Sequence, residues 1–204
     1  MFGFEKKYVN PDEIDQGLLP PKYMGTLTLL LFILFIATSQ YLSPAFNWVQ
    51  YSVWGALALL SARLLVIDLS HLLLLNIYVL PLAILGLIAG PYIHHITYVD
   101  SLIGLLAGAA IAFGLYGLMR LLSKTADFGM GDLKLIIAIG PWLGVFHLMI
   151  AIGISSIVAL IMSLFFARNQ PMPFGPALIV SLWIMLLGAP YIESLLFRLS
   201  MLIH

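Results

Sequence analysis

Cysteine is absent from the 204 residues, which excludes disulfides, thiol catalysis and cysteine-ligated zinc and leaves the redox compartment open. Charge is scarce as well: charged residues make up 9% of the chain, where about 25% is usual for a soluble domain. Nine Lys and Arg balance nine Asp and Glu, so the chain has no basic surplus of the kind that binds nucleic acid. There is no HExxH zinc motif, no cofactor signature and no interdomain linker. What is plentiful is apolar: 62% of residues are hydrophobic, against roughly 45–50% in an average soluble domain. Small folds leave a large fraction of their surface exposed, so a chain of this size could not hide that much apolar area from water. The composition excludes a water-soluble or disordered protein. It implies an all-α, polytopic membrane helix bundle.

Residues 1–24 are polar, carry both signs and lack the basic-then-apolar pattern of a cleaved signal peptide, so they read as a short cytoplasmic segment. Residues 25–204 read as the membrane-embedded domain. A helical span needs about 20 mostly apolar residues. Apolar runs fall at 25–43, 49–67, 72–93, 101–122, 133–148, 149–167 and 176–198. The breaks expected between them include Asp68–Ser70, His94–Asp100 and Ser123–Asp132. The fifth and sixth runs divide near His147, and the last could split at Ala189–Pro190. About seven spans result, within one either way. Pro81 and Pro141 lie inside spans and should kink them. Gly86/Gly90, Gly104/Gly108 and Gly140/Gly144 have the small-xxx-small spacing that lets helices approach closely.

Basic residues orient the bundle. With the N-terminus in the cytoplasm, Lys6, Lys7, Lys22, Arg63, Arg120, Lys124, Lys134 and Arg168 gather at the cytoplasmic face, and only Arg198 falls outside it.

A carboxylate inside or at the edge of a span is expensive and marks a functional position by default. Asp100 and Asp127 fall in expected loops, and Glu193 lies in the last segment near an interface. Asp68 and Asp132 remain. Asp68 ends the second span and Asp132 opens the fifth, which places both at one face of the membrane whichever way the bundle is inserted. One reading makes each Asp a helix N-cap, whose oxygen accepts an otherwise unpaired backbone N–H. The other makes them a catalytic pair. Gly129 and Gly131, in the Gly-Met-Gly-Asp turn, favour the pair. Glycine allows φ > 0 and removes side chains beside the carboxylate, so a peptide or a second carboxylate can come close.

The chemistry of such a pair is specific. At about 4 Å and an effective dielectric near 20, two carboxylates repel by roughly 4 kcal/mol, so one proton is shared between them. The ionised partner takes a proton from water and the other hydrogen-bonds a scissile carbonyl. No metal, thiol, serine or cofactor is needed. Three further residues are supporting candidates. His71 lies three residues past Asp68, although an interfacial His capping a turn is the simpler reading. Lys134 follows Asp132 by two residues, faces another side of the helix and reads as a membrane-surface anchor. Asn76 is a candidate by family resemblance alone. His94 and His95 read as solvated, and His147 as a buried or interfacial polar contact.

At these residues the chain resembles the type IV prepilin peptidases, membrane aspartic proteases that process type IV prepilins and type II secretion pseudopilins. Asp68, Asn76, Pro81, Leu82 and Gly86 fall where the first family block puts them, with Leu75 where proline is usual. Gly129, Gly131, Asp132, Lys134 and Leu135 match the GxGD turn and its Lys-Leu, and Gly140, Trp142, Leu143 and Gly144 match the stretch that follows. Pro173, Phe174, Gly175 and Pro176 resemble the third block. The Gly-Ser-Phe-x-Asn block and the CxxC loop associated with N-methylation are not matched, so by resemblance the chain looks like the peptidase half alone. The resemblance implies an endopeptidase of the bacterial inner membrane that removes the short basic leader at the cytoplasmic face. Asp68 and Asp132 would be the dyad, and the partners would be prepilin or pseudopilin substrates and the lipid bilayer. A non-enzymatic transporter or assembly platform would instead need polar residues in mid-span, and few exist. A presenilin-like protease cutting within the bilayer would favour an Asp deeper in a span.

Overall fold

The computed structural model describes residues 24–42, 48–93, 96–122, 129–165 and 173–203. The N-terminal segment, Asp127, His94 and His95 lie outside these. The described residues form six helices: α1 (Met24–Leu42), α2 (Trp48–His71), α3 (Asn76–Ile93), α4 (Tyr98–Leu122), α5 (Met130–Phe165) and α6 (Gly175–Ile203). By length and composition α2, α3, α4 and α5 are each able to cross a membrane, and α1 and α6 contain shorter apolar stretches, Gly25–Ala37 and Gly175–Gly188. The protein is a multi-pass membrane helix bundle.

The boundary expected near His147 falls instead at Gly144. There the backbone leaves helical geometry (φ 66, ψ 178), dividing α5 into two runs. A left-handed φ is open to glycine because it has no Cβ to collide with the next carbonyl. Polarity had pointed to His147, but the break is a backbone event. In the turn before it, the Pro141 carbonyl accepts a 2.7 Å hydrogen bond from the buried Ser101 hydroxyl on α4. That answers an acceptor at the end of a helical run. The Ala189–Pro190 split does not occur, since α6 continues through it. Pro81 likewise lies inside a continuous α3.

The core centres on α5, where Leu135, Ile136, Ile139, Trp142, Leu143 and Leu148 are buried against the other helices. Glycines set how closely α3 and α4 approach it. A Cβ on Gly104 or on Gly140 would overlap the carbonyl oxygen of the other, and one on Gly108 would come within 2.9 Å of the Ile136 carbonyl oxygen. On the α3 side, a Cβ on Gly90 would meet the Pro141 carbonyl at 2.6 Å. The Trp142 indole N–H donates to the Leu82 carbonyl at 2.9 Å, fastening α5 to α3. Across the bundle, Trp183 of α6 donates to the Ser61 hydroxyl of α2 at 3.0 Å. Trp183 also stacks on Phe35 of α1 with ring centres 4.6 Å apart. These contacts hold the end of α2 and the starts of α5 and α6 in fixed relation.

Asp100 is not a loop residue. It lies in the first turn of α4, where its Oδ2 accepts from the Thr97 backbone N–H at 3.1 Å and the Thr97 hydroxyl at 2.6 Å. The Thr97 Oγ1 accepts from the Asp100 N–H at 3.0 Å in return. This is a capping box, with Thr97 as cap and Asp100 as its reciprocal partner.

Candidate active site

Asp68 sits in the last turn of α2, with the expected break displaced to residues 72–75. The helix closes because Leu72 adopts a left-handed conformation (φ 52) and its N–H donates to the Asp68 carbonyl at 2.9 Å. That is an αL C-cap with leucine where glycine is usual. The position excludes an N-cap role for Asp68. It also leaves the carboxylate at the negative end of its own helix, so stabilisation must come from other elements. The residue is nevertheless only 4% exposed.

Asp132 lies in the first turn of α5, and its N–H donates to the Gly129 carbonyl at 2.9 Å. Gly129 holds the cap position, so Asp132 is not the N-cap either. It sits where a negative charge complements the helix dipole.

Asp68 and Asp132 line one cavity of about 450 Å³. Residues Leu72 to Leu74 form one apolar wall, the Gly129–Gly131 turn forms another, and Lys134 and Pro173 complete it. The Asp132 charge bears on Asp68, and Gly175 stands so close to Asp68 that a Cβ there would overlap its Oδ2. Asp68 Oδ2 is buried and has no hydrogen-bond partner among the described residues. A liquid water molecule occupies about 30 Å³, so the cavity has room for an attacking water and a stretch of extended peptide.

The turn glycines act through space, not through backbone freedom. Among the described glycines only Gly144 has a positive φ. A Cβ on Gly129 would lie 2.8 Å from Asp132 Oδ2, and one on Gly131 would lie 2.8 Å from the Leu74 Cβ. Glycine at 129 leaves the carboxylate room, and glycine at 131 lets the α2 exit segment close over the turn.

Lys134 is more than a surface anchor. It lines the cavity, and its Nζ donates to Asn76 Oδ1 at 3.0 Å. Asn76 itself opens α3 and stands outside the cavity lining. His71, the last residue of α2, also stands outside it.

The profile of the type IV leader peptidase family matches residues 55–164, a stretch that contains both Asp68 and Asp132. The chain belongs to that family. It is 35% identical over 170 residues to the prepilin leader peptidase/N-methyltransferase of Aeromonas hydrophila, covering 78% of this chain and 56% of that protein. The protein of the same name from Pseudomonas aeruginosa is 36% identical over 140 residues, covering 66% of this chain and 47% of its own length. That of Legionella pneumophila is 34% identical over 167 residues, with 78% and 55% covered. The chain thus spans about half the length of the curated relatives it matches. No solved structure matches it.

For this leader peptidase family member, reasoning from sequence had singled out both carboxylates and the two turn glycines, and the fold brings all four to one cavity. It had not singled out Leu72, Leu74 or Gly175. Nothing in a run of leucines signals a left-handed backbone or a cavity wall. Gly175 stood within a recognised block, and only the three-dimensional approach of Asp68 gives it a role.

Proposed function

We propose that the chain is an aspartic endopeptidase that removes the short basic leader from type IV prepilins or prepilin-like pseudopilins, with Asp68 and Asp132 as its catalytic pair. The observation that carries this reading is the meeting of two carboxylates, far apart in sequence, in one cavity within the family-matched region. The cluster of basic residues at the Asp end supports a cytoplasmic site in the bacterial inner membrane.

In the mechanism one carboxylate is ionised and the other carries the shared proton. The ionised group takes a proton from a cavity water as its oxygen bonds to the scissile carbonyl carbon, while the protonated group gives its proton to the carbonyl oxygen. The tetrahedral carbon then collapses: one of its hydroxyls returns a proton to the ionised carboxylate, the C–N bond breaks, and the protonated carboxyl gives its proton to the departing nitrogen, so the pair again holds one proton. The apolar walls of Leu72–Leu74 and Met130 would limit competing water and hold the chain extended at the junction between leader and apolar helix. Because both Asp sit at helix ends, the cut falls at the interface, where a basic leader can remain in water.

The test is incubation of the purified protein in bilayers with a panel of prepilins, followed by mass spectrometry. Release of a leader with a single cut at the junction is expected. Intact substrates throughout the panel, with a correctly folded protein, would refute the reading.

A further inference from the structure

Helix α6 begins at Gly175 with an unusual first turn. Its preceding residue, Phe174, whose carbonyl accepts the Leu178 N–H at 3.2 Å, occupies the cap position. A phenylalanine has no side-chain acceptor for the unpaired N–H groups of a helix start. The next residue, Pro176, has no N–H at all. Gly175 therefore opens α6 with no side-chain cap before it and no donor after it.

The Asp68 carboxylate lies against that start. A Cβ at Gly175 would overlap Asp68 Oδ2 and would stand 3.1 Å from Asp68 Cγ and 3.3 Å from Leu74 Cδ1. Asp68 is buried, so it has little room to retreat. Its own helix offers no help, since it sits at the negative end of α2. The start of α6 presents the opposite end of a helix dipole.

We propose that Gly175 is a positioning residue of the catalytic pair: its missing side chain seats Asp68 against the α6 backbone. This inference rests on the peptidase reading for its catalytic consequence, but the seating of Asp68 is independent of any substrate. It explains why a glycine followed by proline stands at the start of a long helix, a combination that gives up both a side-chain cap and a second donor.

The experiment uses the full chain in detergent and in bilayers. Gly175→Ala should lower the unfolding temperature in the wild-type background, and at least half of that drop should vanish in an Asp68→Ala background, where Oδ2 is gone. An equal drop in both backgrounds would show that the glycine serves only the helix start and would overturn the proposal. With prepilin substrate, Gly175→Ala should lose about 10²-fold in kcat, as expected for a displacement near 1 Å, with KM within about 3-fold. A raised KM with intact kcat would make Gly175 a substrate contact instead. Gly153→Ala, at a helical glycine with open space around it, is the control and should cleave like wild type. If wild type cleaves no prepilin, the peptidase reading fails while the unfolding cycle still decides whether Gly175 seats Asp68.

Discussion

The ammonium of Lys134 donates to Oδ1 of Asn76 at 3.0 Å, tying the first turn of α5 to the first residue of α3. Lys134 also lines the carboxylate cavity and an adjoining apolar trough between α3 and α5. Its position therefore couples the cavity lining to the spacing of two helices. Lys134→Met keeps the apolar stem and removes the donor, and Asn76→Ala removes the acceptor. Each should lower kcat/KM by about 3- to 10-fold, the range of one modest hydrogen bond. The double variant should lose no more than the worse single one, because the two groups act through one bond. Additive losses in a cleavage assay would show that they act separately.

Asp68→Asn and Asp132→Asn should each abolish leader cleavage, by about 10³-fold or more, while insertion and folding persist. Asn keeps the shape of the side chain but cannot take a proton from water, and groups that work as a unit are individually indispensable. Asp100→Asn is the informative contrast. Its carboxylate serves the α4 capping box, so activity should survive with a stability cost of about 1 kcal/mol or less. The measurement is a prepilin mobility shift beside thermal unfolding of the same preparations.

Legibility from sequence divided along physical lines. Asp68 and Asp132 were conspicuous because a carboxylate at the edge of an apolar run has few inexpensive explanations. The helices themselves followed from apolar run length, with α1, α2 and α4 matching their expected ranges to within a few residues. The break at Gly144 was misplaced to His147 because hydropathy registers polarity and not φ. The Thr97–Asp100 box carried a sequence signal, a Thr three residues before an Asp ahead of an apolar run, that went unread. The spacing of Lys134 from Asp132 on one helix points only to the membrane surface. Its acceptor, Asn76, belongs to another helix, and no local pattern announces such a pair.

Gly104 and Gly140 should be intolerant of any side chain. A Cβ on either would overlap the other's carbonyl oxygen, and the obstacle is backbone, which cannot rotate away. Gly104→Ala and Gly140→Ala should each destabilise the bundle by about 1–3 kcal/mol, the usual cost of overpacking. Gly114→Ala, on the same helix as Gly104 but facing open space, should be neutral or stabilising by about 0.5–1 kcal/mol, since glycine is a poor helix residue. Equal unfolding temperatures for the Gly104 and Gly114 variants would show that the α4–α5 approach is looser than the structure describes.

Leu72 carries strain that glycine would not. A left-handed conformation costs a residue with a Cβ roughly 1–2 kcal/mol, and Leu72 holds it (φ 52) while its N–H closes α2 on the Asp68 carbonyl. The retention of leucine there, beside the cavity it lines, is explained if its side chain contacts substrate. Two readouts then move in opposite directions. Leu72→Gly should leave the unfolding temperature unchanged or raise it slightly, because the relieved strain offsets the lost apolar contact and the greater freedom of the unfolded chain. The same variant should raise KM for prepilin by several-fold with kcat little changed, because a wall of the cavity is missing and the seat of Asp68 is not. Leu72→Asn, which tolerates the left-handed region and keeps a side chain of intermediate size, should fall between wild type and glycine in KM. A Leu72→Gly protein that was clearly less stable and bound substrate as well as wild type would make Leu72 a packing residue and nothing more.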